Sequence, residues 1–157
     1  MSYRLHRRQI VDATLAEVFA FFSDPFNLAV ITPPWLGFRI AESTDRTVRL
    51  GTTIRYRLRL HGVPLGWESR IAEYVEGEVF ADEMLSGPYR RWYHRHTFRS
   101  VPGGVEIEDV VEYELPFGPL GRLAHALFVR RQLRAIFAYR ARRITQLFPS
   151  QPAQPEH

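Results

Sequence analysis

Apolar and polar residues alternate along this chain with two distinct periods. Between Thr52 and Leu60 the period is two. Ile54, Tyr56, Leu58 and Leu60 face one way and Arg55, Arg57 and Arg59 the other, as in a strand with one buried face. Near the C-terminus the period becomes helical. From Leu120 to Phe148 a stripe of Ala126, Val129, Leu133, Ile136, Phe137, Ile144 and Leu147 opposes Arg131, Arg134 and Arg142. The run Leu115-Pro116-Phe117-Gly118-Pro119 leads into this helix and Pro149 ends it. Its first turns break the pattern. Leu120, Leu123, Ala124, Leu127 and Phe128 lie on the side that later carries arginine, so the helix is apolar nearly all round as far as Val129. Such a collar is either buried, here beneath the early helices and their loop, or free to meet something besides its own sheet.

The other elements look like a sheet built to receive that helix. Tyr3 to Val11 reads as a polar-rich strand near an edge. Thr14 and Glu17 form a capping box that opens a helix with Leu15, Val18, Phe19 and Phe22 on one face. Asp24 as N-cap and Pro25 at the first helical position start a second, short helix that stops before Pro33-Pro34. Strands then begin at Phe38–Ile40, Thr52, Trp67, Val79, Arg90 and Val105, separated by turns rich in glycine and proline. Consecutive strands joined by short turns pair antiparallel. The pattern predicts an α+β fold: a curved antiparallel sheet of about seven strands wrapped around the long C-terminal helix, with two short helices after the first strand. One domain over residues 1–148 is expected, followed by a disordered polar tail over 149–157.

The last hairpin carries the candidate chemistry. A two-residue turn at Pro102-Gly103 pairs Val101 with Gly104. Phe98 then faces Ile107, His96 faces Asp109, His94 faces Val111 and Trp92 faces Tyr113. The alternate positions match Arg99 with Glu106, Thr97 with Glu108 and Arg91 with Glu114, which reads as the wet face. Two histidines and an aspartate are thereby expected among aromatics on the concave side. A buried carboxylate needs a partner, and His96 is the expected one. The pair can be a structural hydrogen bond that fixes register, or the polar contact of an otherwise apolar pocket. It can also be an acid–base pair, with His96 as acid or base, Asp109 orienting it, and His94 or Tyr113 polarising a carbonyl. His94-x-His96 with Asp109 could share zinc or iron, but the spacing is a loose pattern and no resident metal is expected. The expected ligand wall is Trp92, His94, His96, Phe98, Ile107, Asp109, Val111 and Tyr113, joined by Tyr56 and Trp67 from the sheet and Leu133 and Phe137 from the helix.

Composition narrows the classes. At 157 residues one core is feasible. There is no cysteine, which excludes disulfides, thiol catalysis and zinc–thiolate sites. All 21 basic residues are arginine and the net charge is +4. The arginines alternate along strands opposite apolar positions, so a solvated, partly ion-paired sheet face explains them and no nucleic-acid partner is expected. The first thirty residues carry no secretory apolar segment, and a cytoplasmic chain is expected. Gly118-Pro119-Leu120-Gly121 lacks a P-loop lysine, and no cofactor is expected.

The order of elements and several motifs resemble the START-like, or SRPBCC, superfamily, with its helix-grip or Bet v 1-like fold. The resemblance rests on Thr14…Glu17…Phe21-Phe22, Asp24-Pro25-Phe26-Asn27-Leu28…Thr32-Pro33, Gly87-Pro88-Tyr89…Trp92…His94…His96…Phe98, Gly103-Gly104…Asp109…Tyr113…Pro116 and Phe137-x-x-Arg140. It covers the chain to about Phe148 and looks most like a bacterial branch of ligand-binding or polyketide-cyclase-like proteins. It implies a deep cavity between sheet and helix that holds an apolar or amphipathic small molecule.

Three functions follow as expectations. The first is binding or carriage of a hydrophobic small molecule such as a lipid, quinone or polyketide-like compound. The second is a cofactor-free cyclase, dehydratase or hydrolase using the His–Asp pair. The third is ligand transfer through transient membrane or protein contact at Leu120–Phe128, followed by Arg130, Arg131 and Arg134. Monomer and homodimer are both compatible with the sequence.

Overall fold

Alternation along the strands and the turn chemistry between them produce one antiparallel sheet. A computed structural model describes residues 1–149. The strands are β1 (Ser2–Val11), β2 (Arg39–Ser43), β3 (Thr53–Leu60), β4 (Val63–Val75), β5 (Val79–Ser86), β6 (Arg91–Val101) and β7 (Gly104–Glu114). They form a seven-stranded sheet in the order β1-β7-β6-β5-β4-β3-β2, with β1 on one edge as its polar pattern suggested. The disordered tail expected over 149–157 falls outside the described residues, apart from Pro149, which lies exposed beyond the last helix.

The β6–β7 register is the one read from the turn. Val101 pairs with Gly104, Phe98 with Ile107, His96 with Asp109, His94 with Val111 and Trp92 with Tyr113. Gly103 takes φ +92°, which a side chain would resist. Burial alternates along β7 and along β6 as far as Phe98, so Trp92, His94, His96 and Phe98 face inward together. The outer face is ion-paired. Arg99 Nη2 lies 3.1 Å from Glu106 Oε1. Arg91 leans to Glu112 at 3.5 Å instead of its register partner Glu114.

The capping box at α1 (Leu15–Ser23) forms in both directions, Glu17 N to Thr14 Oγ1 at 3.2 Å and Thr14 N to Glu17 Oε2 at 3.1 Å. Asp24 then caps a 3₁₀ turn over Pro25–Ile31, which stands where the second helix was expected. Together α1 and that turn close one end of the sheet. Phe19 and Phe22 meet Phe98 at ring separations of 5.3 Å.

The long C-terminal helix starts slightly earlier than expected and is not uniform. It runs as α2 (Gly118–Ala124), a π turn over His125–Val129, and α3 (Arg130–Leu147). The π turn changes which side faces the sheet. His125 turns inward and is buried, with its Nε2 2.7 Å from Tyr113 Oη and its ring stacked on Tyr3 at 3.5 Å. Ala126, expected in the apolar stripe, is therefore exposed, and the collar of Leu120, Leu123, Leu127 and Phe128 stands outward instead of under the early helices. Beyond the turn the stripe is as expected at Leu133, Phe137 and Ile144, with Arg140 as an unforeseen buried member. Each fully buried Leu, Ile or Phe here contributes about 1.5–3 kcal/mol. Among the described residues no helix is long and apolar enough to cross a membrane.

Candidate functional site

Helix α3 does not pack flat on the sheet. Between it, the loop after α1 and strands β3 to β6 lies a cavity of about 190 Å³. Its apolar wall includes Tyr56, Trp67, Trp92, Leu133 and Phe137, each expected as a ligand contact. Trp67 organises the aromatic part: it stacks on Tyr56 at 5.8 Å and meets Trp92 edge-on at 5.3 Å. Ser69 satisfies the polar tips of that group. Trp67 Nε1 donates to its Oγ at 2.9 Å, and Tyr56 Oη lies 3.2 Å from the same atom.

The polar end follows from sheet register. Asp82 on β5 stands opposite His94 on β6, and Asp109 on β7 stands opposite His96 on β6. Two histidines two residues apart on one face are thus bracketed by one carboxylate from each neighbouring strand. His94 Nε2 lies 2.8 Å and His96 Nδ1 3.1 Å from Asp109 Oδ1, while His96 Nε2 lies 3.0 Å from Asp82 Oδ1. Arg140 comes down from α3, with Nη2 3.2 Å from Asp109 Oδ1 and 3.3 Å from His96 Nδ1. It also lies over the Phe22 ring at 5.3 Å.

This arrangement corrects the expected pairing. Asp109 is shared by both histidines and Arg140, with its shortest contact to His94, so it is not a private partner of His96. It sits behind the imidazoles, and Asp82 takes the cavity side. The cavity wall contains Trp92, His94 and His96 but not Phe98, Ile107, Asp109, Val111 or Tyr113. The physical reason is filling from both ends. The α1 aromatics cover Phe98 and Ile107, and the inward-turned His125 occupies Tyr113. Val111 packs in the cluster with Leu133 and Phe137 beneath α3. Asp82 and Arg140 are the polar residues that sequence reasoning missed. Asp82 follows Val79-Phe80-Ala81, where apolar neighbours blur the alternation. Arg140 lies on the apolar stripe between Phe137 and Ile144, where a charged residue reads as an exception.

Electrostatics separates the two histidines. Burial, aided by the neighbouring His96 charge, outweighs Asp109 and Asp82 and lowers His94 to about 4. Burial also opposes a charge on His96, but hydrogen bonds to Asp109 and Asp82 outweigh it and raise that pKa. Asp82 is pushed up by burial and pulled down further by His96, His94 and Arg140, ending below the usual range. Asp109 ends well below it, because the Arg140 charge and both imidazole contacts overcome burial. His96 therefore holds its proton to higher pH than a free imidazole does, beside two carboxylates and the Arg140 guanidinium. A neutral His94 that donates from Nε2 to Asp109 keeps Nδ1 as an acceptor.

Asp82, His94 and His96 also place one ligand atom each within 4.8 Å of one another, so a divalent cation could be held there with Asp109 orienting both rings from behind. That set differs from the expected one by Asp82 in place of Asp109.

A helix gripped by a curved seven-stranded sheet, with a cavity between them, defines the START-like, or SRPBCC, class. The chain belongs to the polyketide cyclase/dehydrase and lipid transport family, whose sequence pattern it matches over residues 11–137. Solved structures agree on the fold. Protein CV1439 from Chromobacterium violaceum is 19% identical at a TM-score of 0.67, covering 96% of this chain and 99% of that one. Major latex-like protein 151 from Panax ginseng is 12% identical at 0.65, covering 94% and 98%. The di-domain aromatase/cyclase StfQ of the steffimycin biosynthetic pathway is 11% identical at 0.73, covering 94% of this chain and 50% of that one. No curated protein matches the chain in sequence. At the level of the family, the function class is hydrophobic-ligand binding or cyclase chemistry.

Proposed function

We propose that the chain binds an amphipathic small molecule whose apolar body lies along Trp67, Trp92, Leu133 and Phe137 and whose oxygen-bearing end meets His94, His96 and Arg140. The observation that carries this reading is a donor without an acceptor. Arg140 lines the cavity, is buried, and its Nε–H has no partner among the described residues. A buried unsatisfied donor costs about 1–3 kcal/mol, and a ligand oxygen at that point removes the cost. Titration of the purified chain with anilinonaphthalene sulfonate, followed by quenching of Trp67 and Trp92 emission, tests it. The aromatic body and sulfonate oxygens of that probe imitate the inferred ligand. Arg140→Lys keeps the charge and removes the Nε–H, and should weaken binding about tenfold, the value of one charge-assisted hydrogen bond. Equal affinity in the two proteins contradicts the reading.

The unequal histidines favour a second reading, a cofactor-free lyase. In a dehydration, His96 gives its Nε2 proton to the departing hydroxyl, which leaves as water as the C–O bond breaks; that removes the neighbouring charge that depresses His94, whose Nδ1 takes the proton from substrate carbon. Asp109 would act as a positioning residue for both rings. Here His96→Gln should abolish turnover while leaving probe affinity within a few-fold, whereas Trp92→Ala should weaken the affinity itself.

A further inference from the structure

The outward-turned collar lies away from the ligand cavity and has its own chemistry. Phe117 is 81% exposed, Leu120 72%, Leu123 56%, Leu127 57% and Phe128 60%. Leu120, Leu123 and Leu127 follow the i, i+3, i+7 spacing of one helix face, and Phe117 and Phe128 flank them. Five large side chains so exposed within about three turns form a patch of the kind that marks an interaction surface. Its orientation is built in, since the contact of His125 with Tyr113 and Tyr3 fixes the π turn that sends the leucines outward.

Charge indicates what covers the patch. From Leu115 to Phe148 there is no Asp or Glu, and Arg122, Arg130, Arg131 and Arg134 are all exposed beside or just beyond the collar. Glu114, the acidic residue that precedes this run, already leans on Arg90 at 4.0 Å. We propose that this face docks on an anionic phospholipid bilayer, with Leu120, Leu123, Leu127 and the two phenylalanines among the acyl chains and the arginines on headgroup phosphates. A second copy of the chain fits less well. The same face of a copy offers these arginines no carboxylate. Residues 150–157 contain no large apolar side chain to lie over the patch. The docked face adjoins the cavity wall, because Gln132, one turn beyond Phe128, lines it. The proposal does not depend on which ligand the cavity takes.

Flotation with vesicles of phosphatidylcholine, with and without phosphatidylglycerol, tests it on the full chain. The wild-type chain should float with the anionic vesicles at low salt and be released at high salt. Arg130→Glu combined with Arg131→Glu should reduce binding by about 25-fold or more, given roughly fivefold for each basic residue lost. Leu123→Ser combined with Leu127→Ser should abolish it with the far-ultraviolet spectrum and melting temperature preserved, since exposed positions hold no core. A wild-type chain that stays unbound to anionic vesicles at low salt overturns the proposal. So does binding that both double variants retain. A dimer in sedimentation that the leucine variant converts to monomer, without vesicle binding by wild type, assigns the patch to self-association instead. Vesicle-negative chain that retains an acidic protein through the same residues likewise replaces the bilayer by a protein partner.

Discussion

Arg140 Nη2 lies 3.2 Å from Asp109 Oδ1, joining the C-terminal helix to the last strand through two side chains that are both buried. Removing one partner of such a pair strands the other as an uncompensated charge, at a cost of about 3–5 kcal/mol. Asp109→Asn should therefore destabilise the fold by that order in urea unfolding. Asp82→Asn should cost less, because Asp82 meets His96 but not Arg140 at short range. Equal losses for the two variants would show that Asp109 is not the anchor of the cluster.

Stability should peak near pH 6.5 and decline on both sides, because the two histidines shift oppositely. His94 is lowered from 6.5 to about 4. Between those values the unfolded chain binds a proton that the folded chain refuses, so stability falls as pH drops, by on the order of 3 kcal/mol across the interval. His96 is raised. Above 6.5 the folded chain keeps a proton the unfolded chain has released, so its contribution is lost as pH rises through the folded value. Urea midpoints measured across pH should show both limbs. His94→Gln should flatten the acid limb and His96→Gln the alkaline one; a profile unchanged by either substitution contradicts the assignment.

Gly121→Ala should destabilise the chain, against the usual gain of about 1 kcal/mol for glycine to alanine within a helix. A Cβ at Gly121 would run into the Pro116 carbonyl oxygen and crowd Leu115 Cβ at 3.3 Å. The expected loss is about 1–3 kcal/mol, as for an overpacked site. Thermal melting of the variant checks it, and a raised melting temperature would mean that α2 is free to shift away from the end of β7.

The sheet and the β6–β7 register were legible because a two-residue turn fixes pairing and alternation fixes the faces. That logic placed Trp92, His94, His96 and Asp109 on one side without reference to any fold. The membership of the polar cluster was not legible to the same degree. Asp82 becomes a neighbour of His94 only through the β5–β6 register, whose pairing ends at Glu83 and Tyr93 and so is not set by a tight turn. The outward collar was ambiguous for another reason. A 3.6-residue period cannot register a π turn, and the added residue at His125–Val129 changes the buried side midway along the helix. Arg140 stands on the apolar stripe, three residues after Phe137 and four before Ile144, and only its charge kept it off the set of inward-facing residues.

Trp92→Ala should enlarge the cavity and cost about 3–5 kcal/mol. Its aromatic contacts with Trp67 and Tyr89, at 5.3 and 4.9 Å, would go with it. The same variant should bind anilinonaphthalene sulfonate more weakly than wild type. A weakened fold with unaltered probe affinity would place the probe outside this cavity.

Native mass spectrometry of the freshly purified chain, beside a Leu133→Trp variant shown by its melting temperature to be folded, tests the central claim most directly. The added indole would fill the space between α3 and the aromatic wall. The account predicts a small molecule retained by the wild-type chain and missing from the filled variant. A wild-type chain that emerges bare, and takes up no amphipathic compound when offered one, would contradict it.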